Sequence, residues 1–334
     1  MRVAVVIPSF KVRRHILDVV SKIGAEVSAI YVVDDKCPEN TGEFVLANCR
    51  DKRVTVLFHE LNQGVGGAVI TGYQRAAADG ADVIVKIDGD GQMDPDLISS
   101  FVFPIKYGLA DYAKGNRFYD VESVRSMPLV RLLGNAGLSF LTKLSSGYWD
   151  IFDPTNGYTA IHVSLLRSLH LEKIAKRYFF ESDMLFRLNL MRAVVVDVPM
   201  MSVYGDEKSN LSIGKSLYEF AIRNLRNFAK RIFYNHFLRN FSVASMELML
   251  GLGLLTFGFS FGLFHWWRSW VAGTSTPVGT VMLASLPIII GTQFLLNFLN
   301  FDIASIPRRP LSASLPIVRE AVLERNSVSQ ECLF

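Results

Sequence analysis

Two apolar stretches, Leu248–Trp267 and Val278–Phe301, constrain this chain more than any other feature of its sequence. A bilayer's hydrocarbon core is about 30 Å thick and takes roughly 20 helical residues to cross, and each stretch is long enough. Between 248 and 301 the only full charge is Arg268. The ten residues Arg268–Pro277 that join the stretches are polar and rich in Gly, Thr and Ser, which predicts a hairpin of two transmembrane helices. Trp266, Trp267 and Trp270 cluster at its turn, where amphipathic rings suit a membrane interface. Glu247 is expected to mark the start of the first span.

Charge divides the chain at the same place. Residues 1–211 hold 24 Lys/Arg and 25 Asp/Glu, a net of −1, while the remainder holds 11 and 6, a net of +5. The basic excess therefore belongs to the membrane-proximal part and does not point to nucleic acid. Six cations precede the first span, Arg308 and Arg309 follow the second, and Arg268 alone stands in the link. By the positive-inside bias, both the front domain and the tail lie in the cytoplasm, which predicts an integral protein of the cell (inner) membrane. Met1–Pro8 is too short an apolar run for a signal peptide and is expected to be a first strand. Cys37, Cys49 and Cys332 show no metal spacing and are odd in number, so reduced thiols are expected.

The front part reads as an α/β domain. Val3–Ile7, Ala29–Val33, Val54–Phe58 and Val83–Ile87 are apolar runs of strand length, with helical patterns at His15–Ile23, Thr41–Cys49 and Gly66–Ala78 between them. Such alternation predicts a mostly parallel sheet flanked by helices, with ligands at the carboxyl ends of the strands. Further helices are expected at Met127–Leu144 and Ser182–Met191, and a last strand at Val194–Val198. Residues 214–240 place Leu217, Phe220, Ala221, Leu225, Phe228 and Ile232 at helical spacing, with Lys215, Arg223, Arg226, Lys230, Arg231 and Arg239 elsewhere. A basic, aromatic, amphipathic helix of this kind suits a membrane surface; packing on the front domain is the other reading. The domain organisation is then 1–211 front domain, 212–241 interface helix, 242–303 hairpin and 304–334 tail, with Leu311–Phe334 weakly structured.

The strands end in chemically loaded turns. Asp88-Gly89-Asp90 follows Val83–Ile87 directly, and two carboxylates one small residue apart can face one ion. Hard oxygen ligands suit Mg²⁺ or Mn²⁺, usually shared with substrate phosphates, and Gln92 offers an amide oxygen beside them. Asp34-Asp35 ends the second strand, where a carboxylate either binds a base or ribose or caps the helix that follows. Asn62-Gln63-Gly64-Val65-Gly66-Gly67 opens a helix and is either an anion-binding helix start or a plain tight turn.

Taken as a series, Ile7-Pro8-Ser9, Val33-Asp34-Asp35, Asn62-Gln63-Gly64 and Ile87-Asp88-Gly89-Asp90-Gly91-Gln92-Met93-Asp94-Pro95 resemble the inverting family 2 glycosyltransferases. With the basic helix and two spans, the whole is similar to their polyprenyl-phosphate branch, the dolichol-phosphate mannose synthases and undecaprenyl-phosphate glucosyltransferases. The resemblance implies a GT-A-like fold and catalytic roles for Asp88, Asp90 and Asp183. It implies that Pro8 and Asp35 border the nucleotide, that Asp34 and Asp88 lie close to base and ribose, and that Asp88, Asp90 and Gln92 hold the metal and donor diphosphate. Arg117, Arg131 and Asn135 are implied to grip the acceptor's lipid phosphate, Arg131 being otherwise a surface ion-pair partner. Asp153–Tyr158 resembles the acceptor-side loop. Glu181-Ser182-Asp183 resembles the acidic helix start, with Asp183 a general base or a helix-terminus carboxylate. Two departures stand out. Phe10-Lys11 replaces the branch's usual Asn-Glu, and Tyr204–Ser209 replaces its Arg and Gly-x-Ser-Lys, with Lys208 left to reach the diphosphate.

The implied partners are a nucleotide-sugar donor, a polyprenyl phosphate and the bilayer, with a homo-oligomer left open. The implied reaction is an inverting single displacement by a phosphate oxygen at the anomeric carbon. Transfer to another membrane acceptor, or a non-catalytic membrane partner with a transferase fold, are the rival readings.

Overall fold

The structure is a computed structural model that describes residues 1–119, 129–201 and 213–312, without the side chains of 129–133, 135 and 213–217. It divides into two compact units, Met1–Phe228 with Pro307–Phe334, and Ala229–Ile306.

The first unit is built on one sheet, whose described strands are β1 (Val3–Ser9), β2 (Val27–Asp34), β3 (Val54–Phe58), β4 (Val83–Lys86), β5 (Tyr112–Asn116), β6 (Thr159–His162) and β7 (Val195–Pro199). Their order is β3-β2-β1-β4-β6-β5-β7. All neighbours run parallel except β6, which is antiparallel to both β4 and β5. The described helices are α1 (Ile16–Ser21), α2 (Thr41–Asn48), α3 (Val65–Ala78), α4 (Ile98–Lys106), α5 (Leu129–Ser146), α6 (Val163–Ser168) and α7 (Phe180–Met191).

Strand β1 is buried along its whole length because helices cover both faces of the sheet. Val3, Val5 and Ile7 join one cluster with Ile16, Val19 and Val20 of α1 and Phe101 of α4. Val6 points the other way, directly against Gly72 of α3. This two-sided burial is why β1 and β4 read as apolar runs; β3, at the sheet edge, is only half-buried. Residues 307–312 also belong to this unit: the buried Asp111 carboxylate accepts from Val194 N at 2.8 Å, Leu311 N at 2.9 Å and Ser312 N at 2.7 Å. The expected weakly structured tail otherwise lies outside the described residues.

Helix α8 (Ile213–Ile232) buries a polar face rather than an apolar one. Asn224 and Asn227 are its buried first-unit residues, whereas Tyr218, Ile222 and Leu225 stand exposed. Ser145 Oγ donates to Asn224 Oδ1 at 2.6 Å, and Phe220 packs edge-on against Phe179 with ring centroids 5.4 Å apart. The helix therefore packs on the front domain and still presents an apolar stripe outward.

The second unit holds a π-helical stretch, Phe233–Arg239, and two long helices, α9 (Val243–Val271) and α10 (Val278–Ala304). Both long helices are apolar enough to cross a membrane. Helix α9 begins at Val243, before Glu247, where Ser242 N donates to Ser245 Oγ at 3.1 Å, and it runs past Trp267, shortening the link between the helices to Ala272–Pro277. The non-helical link is thus shorter than the expected ten residues. The helices approach closely at Gly251 and Gly291: a Cβ on Gly251 would lie 3.1 Å from the Gly291 carbonyl oxygen. Small residues at such a crossing let backbones meet, as in membrane helix pairs. Asp302 is buried and accepts from both guanidinium nitrogens of Arg231, at 2.6 and 2.8 Å, with His236 Nε2 at 3.1 Å from the same carboxylate.

Candidate active site

The carboxyl ends of β1, β2 and β4 open onto a cavity of about 930 Å³, walled also by the start of α3, Thr155 and the first turn of α7. Parallel strands leave their turns on one edge of the sheet, so residues distant in sequence converge there. Pro8, Ser9 and Phe10 come from β1, Asp35 and Lys36 from β2, and Lys86, Asp88, Gly89 and Asp90 from β4.

Asp35 is held rigidly. Its carboxylate accepts from Gln63 N at 2.8 Å and Gly64 N at 2.7 Å and pairs with His59 Nδ1 at 2.7 Å. The Asn62-Gln63-Gly64 turn is therefore fastened to the end of β2, and the tight-turn reading of that motif is the one the geometry fills. Asp34 is not among the cavity-lining residues: its carboxylate accepts from Cys37 N and Gly42 N, so it caps the turn into α2.

Asp88 and Asp90 stand together on the β4 turn. Lys86, two residues earlier on the same strand face, places its ammonium 2.8 Å from Asp88 Oδ1 and 3.5 Å from Glu181 Oε1. Burial would push the Lys86 ammonium down, but Asp88 and Glu181 together outweigh it and hold the group above the ordinary lysine value. Gly157 makes this possible, since a Cβ there would sit 2.5 Å from Lys86 Nζ and 2.6 Å from Asp88 Oδ2. Asp90 Oδ1 accepts from Gln92 N at 3.0 Å; Gln92 thus orients Asp90 through its backbone and is not among the lining residues. Among the described residues no group of three or more His, Cys, Asp or Glu is arranged to hold a metal ion. Two carboxylates on one turn nonetheless fit an Mg²⁺- or Mn²⁺-type ion, which takes only one or two protein carboxylates when phosphates complete its shell.

Helix α7 brings Glu181 and Ser182 to the cavity but turns Asp183 elsewhere. The Asp183 carboxylate accepts from Ala175 N at 2.9 Å, Arg187 Nε at 3.0 Å and Asn227 Nδ2 at 3.1 Å. Those partners make it a tie between α7, its preceding loop and α8; of the two expected roles, the helix-terminus carboxylate is the one this geometry fills. Arg117 follows β5 and clasps Asp153 with Nε at 2.7 Å and a terminal nitrogen at 3.1 Å. The clasp fixes the Asp153–Tyr158 loop, which Lys114 Nζ also holds by donating to the Asn156 carbonyl. Burial pushes the Lys114 ammonium down to about 8. Arg131 and Asn135 ride on α5 with side chains outside the description, and Lys208 lies outside the described residues.

Lys86 is a site residue that sequence reasoning passed over, and Glu181 was named only within the acidic helix start, with no site role of its own. The signal for Lys86 was present, as a lone cation inside the apolar run Val83–Ile87.

This sheet, with its strand-end acids around one cavity, defines a nucleotide-sugar-transferase-like fold. Comparison with known proteins agrees. The sequence model described as glycosyl transferase family 2 matches residues 4–169. A UDP-N-acetylglucosamine–dolichyl-phosphate N-acetylglucosaminyltransferase of Methanococcus voltae is 31% identical over 231 residues, covering 64% of this chain and 92% of that protein. An undecaprenyl-phosphate mannosyltransferase of Micrococcus luteus is 29% identical over 207 residues, covering 61% and 84%. Among solved structures, glucosyl-3-phosphoglycerate synthase of Mycobacterium tuberculosis, in complex with Mn²⁺, UDP and phosphoglyceric acid, shares the fold with a TM-score of 0.51 at 18% identity, over 69% of this chain and 78% of that one. The chain belongs to glycosyltransferase family 2.

Proposed function

We propose that this enzyme transfers a sugar from a nucleotide-sugar donor to a polyprenyl phosphate at the cytoplasmic face of a membrane, by inverting displacement. The observation that carries the reading is the pairing, in one chain, of the Asp88/Asp90 cavity with two helices long and apolar enough to span a bilayer. The relatives support the acceptor class, since those from Methanococcus voltae, Micrococcus luteus and Pyrococcus furiosus are named for dolichyl- or undecaprenyl-phosphate.

In this reading Pro8 and Asp35 border the nucleotide, with Asp34 acting from behind by fixing the turn. Asp88 and Asp90 hold a divalent cation, with Gln92 orienting Asp90. Bound there, the ion supplies neutralisation of the charge that develops on the departing diphosphate. A phosphate oxygen is already anionic at neutral pH, so attack on the anomeric carbon needs no strong base. Asp183 accordingly serves by holding α7 in place, and Glu181 closes the cavity wall. Arg117 with Arg131 and Asn135 forms the acceptor-phosphate side, a forked guanidinium suiting that anion; Lys208 is assigned to the donor diphosphate. A polyprenyl acceptor lives in the bilayer, and a membrane-anchored enzyme meets it in two dimensions.

The test is an assay of purified protein in detergent with polyprenyl phosphate, Mg²⁺ or Mn²⁺ and a panel of nucleotide sugars. One donor should yield a glycolipid, chelation should stop the reaction, and Asp90→Ala should cost about 100-fold or more in kcat, the scale of losing a group that stabilises transition-state charge. Full activity in Asp90→Ala, or no transfer with any donor, would refute the reading.

A further inference from the structure

Lys86 is buried to 1% exposure, yet both of its partners are carboxylates in the cavity wall. A buried ammonium is expensive unless paired, and an apolar residue at this strand position would pack more simply. Without Lys86 the wall would carry Asp88, Asp90 and Glu181 with no ammonium joining Asp88 to Glu181, in a cavity that must admit a doubly negative diphosphate. With it, one Asp88 oxygen is engaged, the rotamer of that side chain is set, and Glu181 is drawn to the same point. Room for the ammonium exists only because residue 157 has no side chain.

We propose that Lys86 is a positioning residue of the donor site, a built-in cation that fixes Asp88 and Glu181 and offsets their charge, so that a divalent ion binds strongly only together with the donor diphosphate. The inference rests on the donor-site reading above and adds an order of assembly. In the protein without nucleotide, Lys86 competes with a free cation for the Asp88 carboxylate. When the diphosphate arrives with its ion, the phosphates supply the ligands that Asp88 Oδ1 withholds. The residue acts through Asp88 and Glu181 and takes no part in bond making.

The distinction from a merely structural lysine lies in the sign of an effect. Calorimetry of the full chain in detergent would measure Mn²⁺ binding alone and Mn²⁺ binding with UDP or GDP present. Lys86→Met should tighten binding of Mn²⁺ alone by about tenfold, since a competing positive charge a few ångströms away is gone. The same variant should weaken binding of the nucleoside diphosphate with Mn²⁺ by about tenfold and lower kcat. Glu181→Gln, which leaves the Lys86–Asp88 pair intact, should shift Mn²⁺ alone in the opposite direction, and the double variant should return near the parental value. Should Lys86→Met fail to fold, Lys86→Gln, which keeps a polar end without the charge, carries the same expectation. Unchanged or weaker binding of Mn²⁺ alone in Lys86→Met, or unchanged binding in Glu181→Gln, would overturn the proposal while leaving the donor site intact. Absence of Mn²⁺-dependent nucleotide binding in the parental protein would overturn both.

Discussion

Ile7 of β1 is sealed from solvent, whereas Ile289 of α10, equally apolar, leaves 64% of its surface exposed. Both units bury polar groups, Asp35, Lys86, Asp111 and Lys114 in the front unit and Arg231, His236, Ser245 and Asp302 in the hairpin unit, so it is the placing of apolar side chains that separates them. The front unit is arranged for water, with its apolar residues inside. The hairpin is arranged for an apolar solvent, with small and polar residues inside and Leu, Ile, Phe and Trp outside. One physical rule governs both, namely that each group goes where its solvation costs least.

The comparison can be broken in several ways. The largest effect is expected at Asp302. Asp302→Ala leaves the Arg231 guanidinium buried without its carboxylate and should destabilise the hairpin unit by about 3–5 kcal/mol, read by denaturant unfolding in detergent. Ile7→Ala should cost the front unit about 2–5 kcal/mol by opening a cavity, while Ile289→Ala, at an exposed site, should cost much less. Next comes a matched pair of exposed positions. Ile289→Lys should oppose membrane insertion by about 2.5–3.5 kcal/mol. Leu46→Lys, at a site 61% exposed on α2, should stay within about 0.5 kcal/mol by thermal unfolding of the same protein. Equal effects at the two sites would erase the distinction between the solvents.

The smallest effect concerns pH. Burial raises the Asp197 carboxyl from 3.8 to about 6, although Phe152 N and Asn116 Nδ2 donate to it. Between those values the folded state holds a proton that the unfolded chain has released. Stability of the front unit should therefore decline as pH rises from about 4 to 6, and Asp197→Asn should flatten that decline in melting curves.

Much of this arrangement was legible in the sequence, for reasons that differ by region. Strands β1 and β2 announce themselves because burial along most of their length demands a near-continuous apolar run, whereas β3 is apolar though only half-buried. Strand β6 does not: Thr159–His162 is four residues long, half polar, antiparallel to both neighbours and continuous with α6. The spans were visible by length, but the start of α9 depends on a serine pair that hydropathy ignores. In the site, Asp88 and Asp90 were legible because a strand end places them. The setting of Asp183 was not, since its partners come from residues 175, 187 and 227, which only the fold brings together. The role of Lys86 was hidden for the same reason: the lone cation in the strand was visible, but its pairing with Glu181 spans 95 positions of sequence.

The most direct measurement is the mass of the lipid product made by the protein in vesicles containing polyprenyl phosphate, with the preferred nucleotide sugar supplied outside. The account predicts a gain of one sugar residue on the lipid and release of nucleoside diphosphate. A lipid that gains a sugar together with a second phosphate, with nucleoside monophosphate released, would contradict it.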